Sequence, residues 1–197
     1  MTRADLPSRG RVGIFGGAFD PPHDGHLALA REAIHFFDLD RLLVRVIADP
    51  GHKDVETPAP MRVVLTELAF SGISAAEVSL DPFARTVDSL EALALDDPIF
   101  LIGADELAAF PTWTRPDRVL ELARIGAATR PGCNLIDLER VVASLSLPGR
   151  VELFPITPLD VSSSDVRDRV AEGLPIDDLV PQAVADQIHR AGLYRDA

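Results

Sequence analysis

The chain has 197 residues, 47% of them apolar, which suits a single domain with a sizeable buried core. Its formal net charge of −12 argues against a broad nucleic-acid-binding face, because such a face needs clustered lysine and arginine side chains to neutralise phosphates. A small phosphorylated ligand needs only a few cations and backbone amides, so the net charge does not exclude such a ligand.

The amino terminus and the cysteine content bear on the cellular compartment. Residues 1–10 are polar and lack the apolar run of a signal peptide, and no stretch approaches the roughly 18 uninterrupted apolar residues of a membrane span. Cys133 has no second cysteine with which to form an intrachain disulfide. We therefore expect a cytoplasmic protein with no membrane partner, with a flexible N-terminus over residues 1–10 and one domain over residues 11–197. A homo-oligomer is compatible with these features.

Short apolar runs alternate with segments of helical periodicity along almost the whole chain. In chain order, the predicted elements are the strand Val12–Phe15, the helix His26–Phe37, the strand Leu42–Ala48, the helix Met61–Phe70, the strand Glu77–Leu80, the helix Thr86–Leu95, the strand Ile99–Ile102, the helix Arg118–Ala123, the strand Ile125–Thr129, the helix Asn134–Leu145, the strand Val151–Ile156, the helix Ser164–Ala171 and the helix Pro181–Ala191. Asp24 is placed to cap the first helix, and Pro181 suits the first turn of the last.

The alternation of strand and helix predicts the α/β fold class, with a single doubly wound (Rossmann-like) parallel-sheet domain. Helices are expected on both faces of the sheet, joined to the strands by right-handed crossovers. Ligands of such sheets bind beyond the carboxyl ends of the strands. The segments that follow the predicted strands are therefore the places to look for a site.

The first predicted strand ends in a glycine-rich turn that leads into the first helix. Gly16 and Gly17 allow the backbone to approach a ligand, and the helix N-terminus favours an anion. The third glycine of a dinucleotide fingerprint is missing, as is the Gly-Lys-Ser/Thr ending of a Walker A loop. His23 and His26, three residues apart across Gly25, can point to one spot from the first turn and donate hydrogen bonds to a phosphoryl group.

This turn closely resembles the signature of the HxGH nucleotidyltransferases, above all the bacterial nicotinate-nucleotide adenylyltransferases. The resemblance implies a fold of that type, in which His23 and His26 bind the ATP phosphates and stabilise the transition state of attack on the α-phosphorus. It also implies that the turn binds ATP through Gly16, Gly17, Ala18, Phe19 and Gly25. At Ala18 the family usually has a threonine whose hydroxyl binds phosphate.

A second motif lies far along the chain, at the start of the predicted helix Ser164–Ala171. Serines before a helix satisfy its free amides or leave others facing an anion, and Arg167, one turn in, can reach the same phosphate. Alone the motif is weak, because serine caps are common and a capping box completed by Asp165 is the alternative interpretation. It resembles the family's Ile-Ser-Ser-Thr-x-Ile-Arg element, which implies that the β- and γ-phosphates of ATP are gripped by Ser162, Ser163, Ser164 and Arg167.

The loop after the second strand carries His52 and Lys53. A solvated surface lysine is the alternative interpretation of Lys53. The pair is similar to the family's Pro-Pro-His-Lys segment, which implies that Lys53 assists at the phosphates and that His52 lies on the acceptor side. The usual asparagine and paired prolines are missing, and Asp49 would repel an anionic substrate.

Thr86 begins a segment that resembles the family's Thr-Val-Asp-Thr-Leu, which implies that it helps to hold nicotinate mononucleotide. A helix N-cap at Thr86 is the alternative, and Arg85 stands where a tyrosine is often found. Trp113 lies among prolines and threonines typical of a loop, although a lone tryptophan is most often in the core. The resemblance implies that its ring stacks on the pyridine.

Three further residues are expected on the adenosine side. Gly103 and Asp105 follow the fourth strand and resemble the family's Gly-x-Asp segment, whose backbone and carboxylate contact adenosine. Asp105 as a cap of a helix beginning at Glu106 is the alternative. Arg130, after the fifth strand, resembles a family residue near the adenine.

Together these motifs predict adenylyl transfer from ATP to nicotinate mononucleotide, with release of pyrophosphate. No His/Cys/carboxylate cluster for a permanently held metal is evident, so Mg²⁺ is expected to arrive with ATP. One alternative is the same nucleotidyl transfer to another acceptor. That acceptor is nicotinamide mononucleotide, phosphopantetheine, or, with CTP as the donor, a sugar or polyol phosphate. Another is a non-catalytic nucleotide-binding regulator that descends from the enzyme and has lost the usual site residues at Ala18 and Asp49.

Overall fold

The computed structural model describes residues 10–51, 55–130, 132–157 and 159–195. Within these ranges six strands form one parallel sheet in the order β3-β2-β1-β4-β5-β6. The strands are β1 (Val12–Gly17), β2 (Arg41–Ile47), β3 (Ala76–Asp81), β4 (Ile99–Gly103), β5 (Arg124–Thr129) and β6 (Val151–Pro155).

Helices connect the strands and complete the carboxyl-terminal part of the chain. They are α1 (Asp24–Phe37), α2 (Ala59–Phe70), α3 (Thr86–Leu93), α4 (Ala104–Ala109), α5 (Pro116–Leu122), α6 (Leu135–Ser144), α7 (Ser163–Ala171) and α8 (Gln182–Ala191), with short 3₁₀ turns at Phe110–Thr112 and Pro148–Arg150. Among the described helices, none is long and apolar enough to cross a membrane.

The strand order reverses between β1 and β4, which are direct neighbours although two strands separate them in sequence. Gly13, Ile14 and Phe15 of β1 lie opposite Ile99, Phe100 and Leu101 of β4. The two halves of the chain therefore leave the sheet in opposite directions at this point, which opens a crevice at the carboxyl ends of the strands. The predicted doubly wound fold is confirmed.

Side chains alternate between the two faces of the sheet and form two separate cores. Phe15 packs with α1, α2, α7 and α8 on one face, while its neighbour Ile14 packs with α3, α4, α5 and α6 on the other. In β4, Leu101 packs in the same core as Phe15, and Phe100 packs in the same core as Ile14. This period of two buries Gly13, Ile14 and Phe15 of β1 and the first four residues of β4, which explains why these strands read as continuous apolar runs.

Six helix starts differ by one or two residues from those predicted, and the caps of α1 and α8 show why. His23, in extended conformation, is the N-cap of α1, so the prediction that Asp24 caps this helix is wrong. Pro181 is the N-cap of α8 and not a residue of its first turn. Both cap residues have non-helical backbone angles, φ −142° and ψ 171° at His23 and φ −56° and ψ 144° at Pro181, so each helix begins one residue later.

Candidate active site

The β1–α1 turn is built around a buried aromatic ring. Phe19 is 2% exposed and packs edge-on against Phe15 and Phe70, with ring centroids 5.4 and 6.2 Å apart. A Cβ at Gly17 would lie 2.9 Å from the Phe19 ring, whereas one at Gly16 would meet Phe100 at an ordinary 3.5 Å. Gly17 is therefore required by the packing of this turn.

The two histidines of the turn lie against each other. His23 and His26 have ring centroids 3.8 Å apart and an interplanar angle of 34°. The backbone N–H of His23 donates to Nδ1 of His26 at 3.2 Å, which places the proton of a neutral His26 on Nε2. The helical spacing thus brings both imidazoles to one spot, as the sequence predicts.

His23 is the more buried of the pair. Its side chain is 9% exposed, and its Nδ1 has no hydrogen-bond partner among the described residues. Burial lowers the pKa of His23 from 6.5 to about 4, against the opposing effect of the nearby Asp165 carboxylate. The ring is neutral at pH 7, and a buried ring nitrogen without a partner is a group that a bound ligand can satisfy.

The serine motif forms the N-terminus of α7. Ser162 is the N-cap, and the carboxylate of Asp165 accepts from its N–H at 2.8 Å and from its hydroxyl at 2.6 Å. The N–H of Asp165 donates in turn to the Ser162 hydroxyl at 3.1 Å. The capping-box interpretation of Asp165 is confirmed, and these bonds lower the pKa of its carboxyl.

The serine motif packs directly on the β1–α1 turn. Ser163 donates its hydroxyl to the carbonyl of Pro21 at 2.8 Å, and Nη1 of Arg167 donates to the carbonyl of Asp20 at 2.8 Å across 147 residues of sequence. The two motifs that the sequence singles out are therefore in direct contact, which brings together the N-termini of α1 and α7.

Arg167 is held by three partners in the structure. Besides the Asp20 carbonyl, its Nε donates to the carboxylate of Glu56 at 2.8 Å and its Nη2 to the hydroxyl of Ser164 at 3.3 Å. The side chain is only 18% exposed. An anion that takes this guanidinium must therefore compete with Glu56.

Two buried charged residues beside the turn were not identified from the sequence. Asp20 is 3% exposed, and its Oδ2 accepts from the backbone N–H of Glu56 at 2.6 Å. Arg62 is 1% exposed and donates only to backbone carbonyls, those of Ala18, Ile47, Ala48 and Thr57. Burial lowers the pKa of its guanidinium, and the charge of Asp20 opposes that effect.

These bonds hold both ends of the loop that follows β2. Arg62 binds the carbonyls of Ile47 and Ala48 where the loop begins, while Asp20 and Arg62 bind Glu56 and Thr57 where it ends. The predicted site residues His52 and Lys53 lie outside the described residues. Asp20 lies inside the first motif, so a role for it could have been predicted from the sequence. Arg62 lies in the first turn of α2, and no neighbouring residue in the sequence indicates that its side chain is buried.

The predicted acceptor side lies at the same edge of the sheet. Trp113 follows the 3₁₀ turn after α4 and is half-buried, with its ring 5.2 Å from the Phe110 ring and 6.2 Å from the Phe100 ring. It therefore both packs on the core and keeps part of its surface open. Thr86 is the first residue of α3, and Arg85 takes the N-cap position, so the N-cap alternative for Thr86 is wrong.

The adenosine-side residues occupy the carboxyl ends of β4 and β5. Gly103 is the N-cap of α4, which begins at Ala104, so the alternative of Asp105 as a cap is wrong as well. Asp105 and Arg130 are exposed. The order of the sheet places these strand ends beside that of β1, on the same edge as the histidines.

Comparisons with known proteins agree with this arrangement. Residues 14–169 match the family described as cytidylyltransferase-like. A probable nicotinate-nucleotide adenylyltransferase of Thermomicrobium roseum is 40% identical and covers 94% of this chain and 92% of its own length. One of Symbiobacterium thermophilum is 36% identical, covering 93% and 95%. The chain belongs to the nicotinate-nucleotide adenylyltransferase family.

A solved structure shows the same fold at lower identity. The nicotinic acid mononucleotide adenylyltransferase of Plasmodium falciparum, complexed with APC, aligns with a TM-score of 0.76 and 16% identity, covering 94% of this chain and 97% of that one. Nucleotidyltransferases generally use a divalent metal with the nucleoside triphosphate. Within the described part of this chain, no three His, Cys, Asp or Glu side chains are grouped so that they could hold a metal ion.

The family's glycine between the two histidines has a steric reason in this structure. A Cβ at Gly25 would lie 3.0 Å from Cε1 and Nδ1 of His23 and 3.3 Å from Cγ1 of Val161. We expect Gly25→Ala to lower kcat/KM by up to about tenfold, because the His23 ring must shift by a few tenths of an ångström and a full 1 Å misplacement at a reacting site can cost about 10²-fold. Steady-state kinetics would measure this, with Gly72→Ala as the control, since a Cβ there meets nothing within 4 Å. Equal activity of the two variants would contradict the steric role.

The depressed pKa of His23 predicts a pH dependence of stability. As the pH falls through 6.5 the unfolded chain binds a proton at this residue, whereas the native state does so only near pH 4, so stability is lost within that window. The loss amounts to about 3 kcal/mol over the whole window. We expect urea unfolding to show that His23→Gln loses less stability than the unaltered protein between about pH 7 and about pH 4.5. Parallel losses would show that His23 titrates normally in the fold.

Proposed function

We propose that the protein transfers the adenylyl group of ATP to nicotinate mononucleotide, giving nicotinate adenine dinucleotide and pyrophosphate. The observation that carries the proposal is the meeting of two remote motifs: Ser163 and Arg167 of α7 bond to the carbonyls of Pro21 and Asp20, directly before the paired histidines. The relatives named above support the choice of acceptor, since their names refer to nicotinate nucleotide.

The reaction needs no nucleophile from the protein. A 5′-phosphate oxygen of the acceptor attacks the α-phosphorus of ATP in line, and the bond from that phosphorus to the bridging oxygen of the pyrophosphate breaks. Positioning and charge stabilisation carry most of the catalysis in such transfers. Nε2 of His26, His23, Arg167 and Lys53 are the groups proposed to stabilise the charge on the phosphates.

The ATP side is proposed to comprise the turn, the serine motif and the strand ends. Neutral His23 suits this role, because it donates a hydrogen bond from a buried position without bringing a charge into the core. The residues proposed to contact ATP are Gly16, Gly17, Ala18, Phe19, Gly25, Gly103, Asp105, Arg130, Ser162, Ser163 and Ser164.

Mg²⁺ is proposed to arrive with ATP and to shield the charge of the triphosphate. The two carboxylates beside the histidines are engaged within the protein, Asp20 by backbone amides and Asp165 by its capping box. The donor set near the histidines thus suits a cation held mainly by phosphate oxygens and water. The residues of this chain bind and orient the phosphates around it.

The acceptor is proposed to bind between α3 and the tryptophan loop. Trp113 is held from behind by Phe100 and Phe110, which leaves a half-buried indole available for stacking on a pyridine ring. Thr86, at the first position of α3, is placed to offer its hydroxyl and its free backbone N–H to the acceptor. His52 is proposed to act on the same side.

A product analysis tests the proposal. The protein is mixed with Mg²⁺-ATP and nicotinate mononucleotide, and the dinucleotide is sought by mass spectrometry together with released pyrophosphate. Parallel reactions contain nicotinamide mononucleotide, phosphopantetheine, or a polyol phosphate with CTP. We expect the highest kcat/KM with nicotinate mononucleotide. A higher value with another acceptor would reassign the substrate, and ATP binding without pyrophosphate release from any acceptor would identify a non-catalytic regulator.

A further inference from the structure

Tyr194, close to the carboxyl terminus, reaches into the centre of the site. Its side chain is 6% exposed, and its ring belongs to the core formed with α1, α2, α7 and α8. The phenol donates to Oδ1 of Asp20 at 2.7 Å, across 174 residues of sequence. A buried hydroxyl directed at a buried carboxylate is a specific contact, because the ring alone would fill the same space.

Asp20 is the point at which four segments of the chain meet. Its Oδ2 accepts from the N–H of Glu56 at 2.6 Å and lies 3.4 Å from that of Thr57, which end the loop after β2. Its carbonyl accepts from Arg167 of α7. Tyr194 supplies the bond to Oδ1. The orientation of this one residue therefore affects the loop, the arginine and the turn that leads to the histidines.

Tyr194 holds one oxygen of this carboxylate, and the backbone amides of Glu56 and Thr57 hold the other. If the hydroxyl is removed, Oδ1 loses this donor in a site from which water is excluded, and the carboxylate must rotate or admit water to replace it. Because Asp20 is buried, either change disturbs its packing and can shift its backbone, whose carbonyl holds Arg167 and is followed by the Pro21 carbonyl that holds Ser163. Both groups belong to the proposed triphosphate side, whereas Thr86 and Trp113 lie on other elements.

We infer that Tyr194 is a positioning residue for triphosphate binding, acting through Asp20. The inference rests on the proposed function and extends it to Tyr194, which is not among the residues proposed to contact a substrate. It predicts a selective defect: the affinity for ATP falls, while the affinity for the acceptor and the overall fold are retained.

The test compares Tyr194→Phe with a matched loss of a buried hydroxyl elsewhere. The control is Thr66→Val, because Thr66 is fully buried and donates its hydroxyl to the Arg62 carbonyl at 2.7 Å, one turn earlier in α2. Mg²⁺-ATP binding is measured by calorimetry without acceptor, and the KM for the acceptor is measured separately. We expect Tyr194→Phe to raise the Kd for ATP about tenfold and to change the acceptor KM less than about twofold, with Thr66→Val changing neither.

A double-mutant cycle separates positioning from general destabilisation. If Tyr194 acts through Asp20, then Asp20→Asn weakens ATP binding at least as much, and adding Tyr194→Phe to it has little further effect. Additive effects of the two changes, or equal ATP affinities of Tyr194→Phe and Thr66→Val, would overturn the inference. Because calorimetry needs no acceptor, a wild-type protein that binds ATP but forms no dinucleotide would count against the proposed function alone.

Discussion

Replacement of His26 by alanine is expected to lower kcat by about 10²–10³-fold with little loss of stability. His26 is half-buried at the first turn of α1, where its Nδ1 accepts a backbone hydrogen bond and its Nε2 is proposed to donate to the charge that develops on the phosphoryl group. Alanine removes that donor but is the best helix former, so the helix itself should persist.

The matched control for this change lies on the same helix. His35, in the last turn of α1, is exposed, and His35→Ala should leave kcat within about twofold of the original, since surface changes of this kind have small effects. Rates of pyrophosphate release and unfolding curves are measured for both variants. A His26→Ala protein with near-normal turnover would remove the central role assigned to this residue.

Replacement of Arg167 by alanine is expected to lower kcat/KM for ATP by about 10²–10³-fold. The guanidinium is held beside the turn by the carbonyl of Asp20 and the carboxylate of Glu56, and a triphosphate oxygen is proposed to take the place of the latter. Arg167→Lys should recover only part of the loss, because an ammonium group keeps the charge and lacks the planar fork that bonds two partners at once.

Arg169 provides the control for this second change. It lies two residues further along α7, and its guanidinium bonds the carboxylate of Asp178 and the carbonyl of Pro175 on the outer side of the helix. Arg169→Ala removes the same charge from the same helix but breaks bonds to Pro175 and Asp178 and none to the turn. Steady-state kinetics with varied ATP compare the variants. Equal losses from Arg167→Ala and Arg169→Ala would indicate that net charge, and not a specific phosphate contact, is responsible.

Secondary structure was largely predictable, because the strands of the central sheet are buried on both faces and the helices on one. The apolar runs and the helical stripes therefore appear directly in the sequence, and the expected strands around Val12, Leu42 and Ile99 all form. Capping positions were less predictable. Arg85 takes an N-cap position although its side chain makes no capping bond, and Gly103 takes one without a side chain, so side-chain preference gave no guide there.

Site residues within one motif were also predictable, because their spacing is fixed by local geometry. His23 and His26 are three residues apart in the first turn of a helix, and this spacing alone brings their rings together. Ser162 and Asp165 form their capping box for the same reason. The family resemblance then implied that the two motifs act together, which no spacing within the chain could indicate.

By itself, then, the sequence determined the α/β alternation, the pair of imidazoles and the capped start of α7, since each depends on residues a few positions apart. Only the tertiary structure decided that Arg167 reaches the Asp20 carbonyl, that Arg62 binds the two ends of a loop, and that Tyr194 holds the Asp20 carboxylate. Those contacts join residues far apart along the chain, and their energy comes from satisfying buried polar groups whose neighbours exist only after the sheet and its helices have packed.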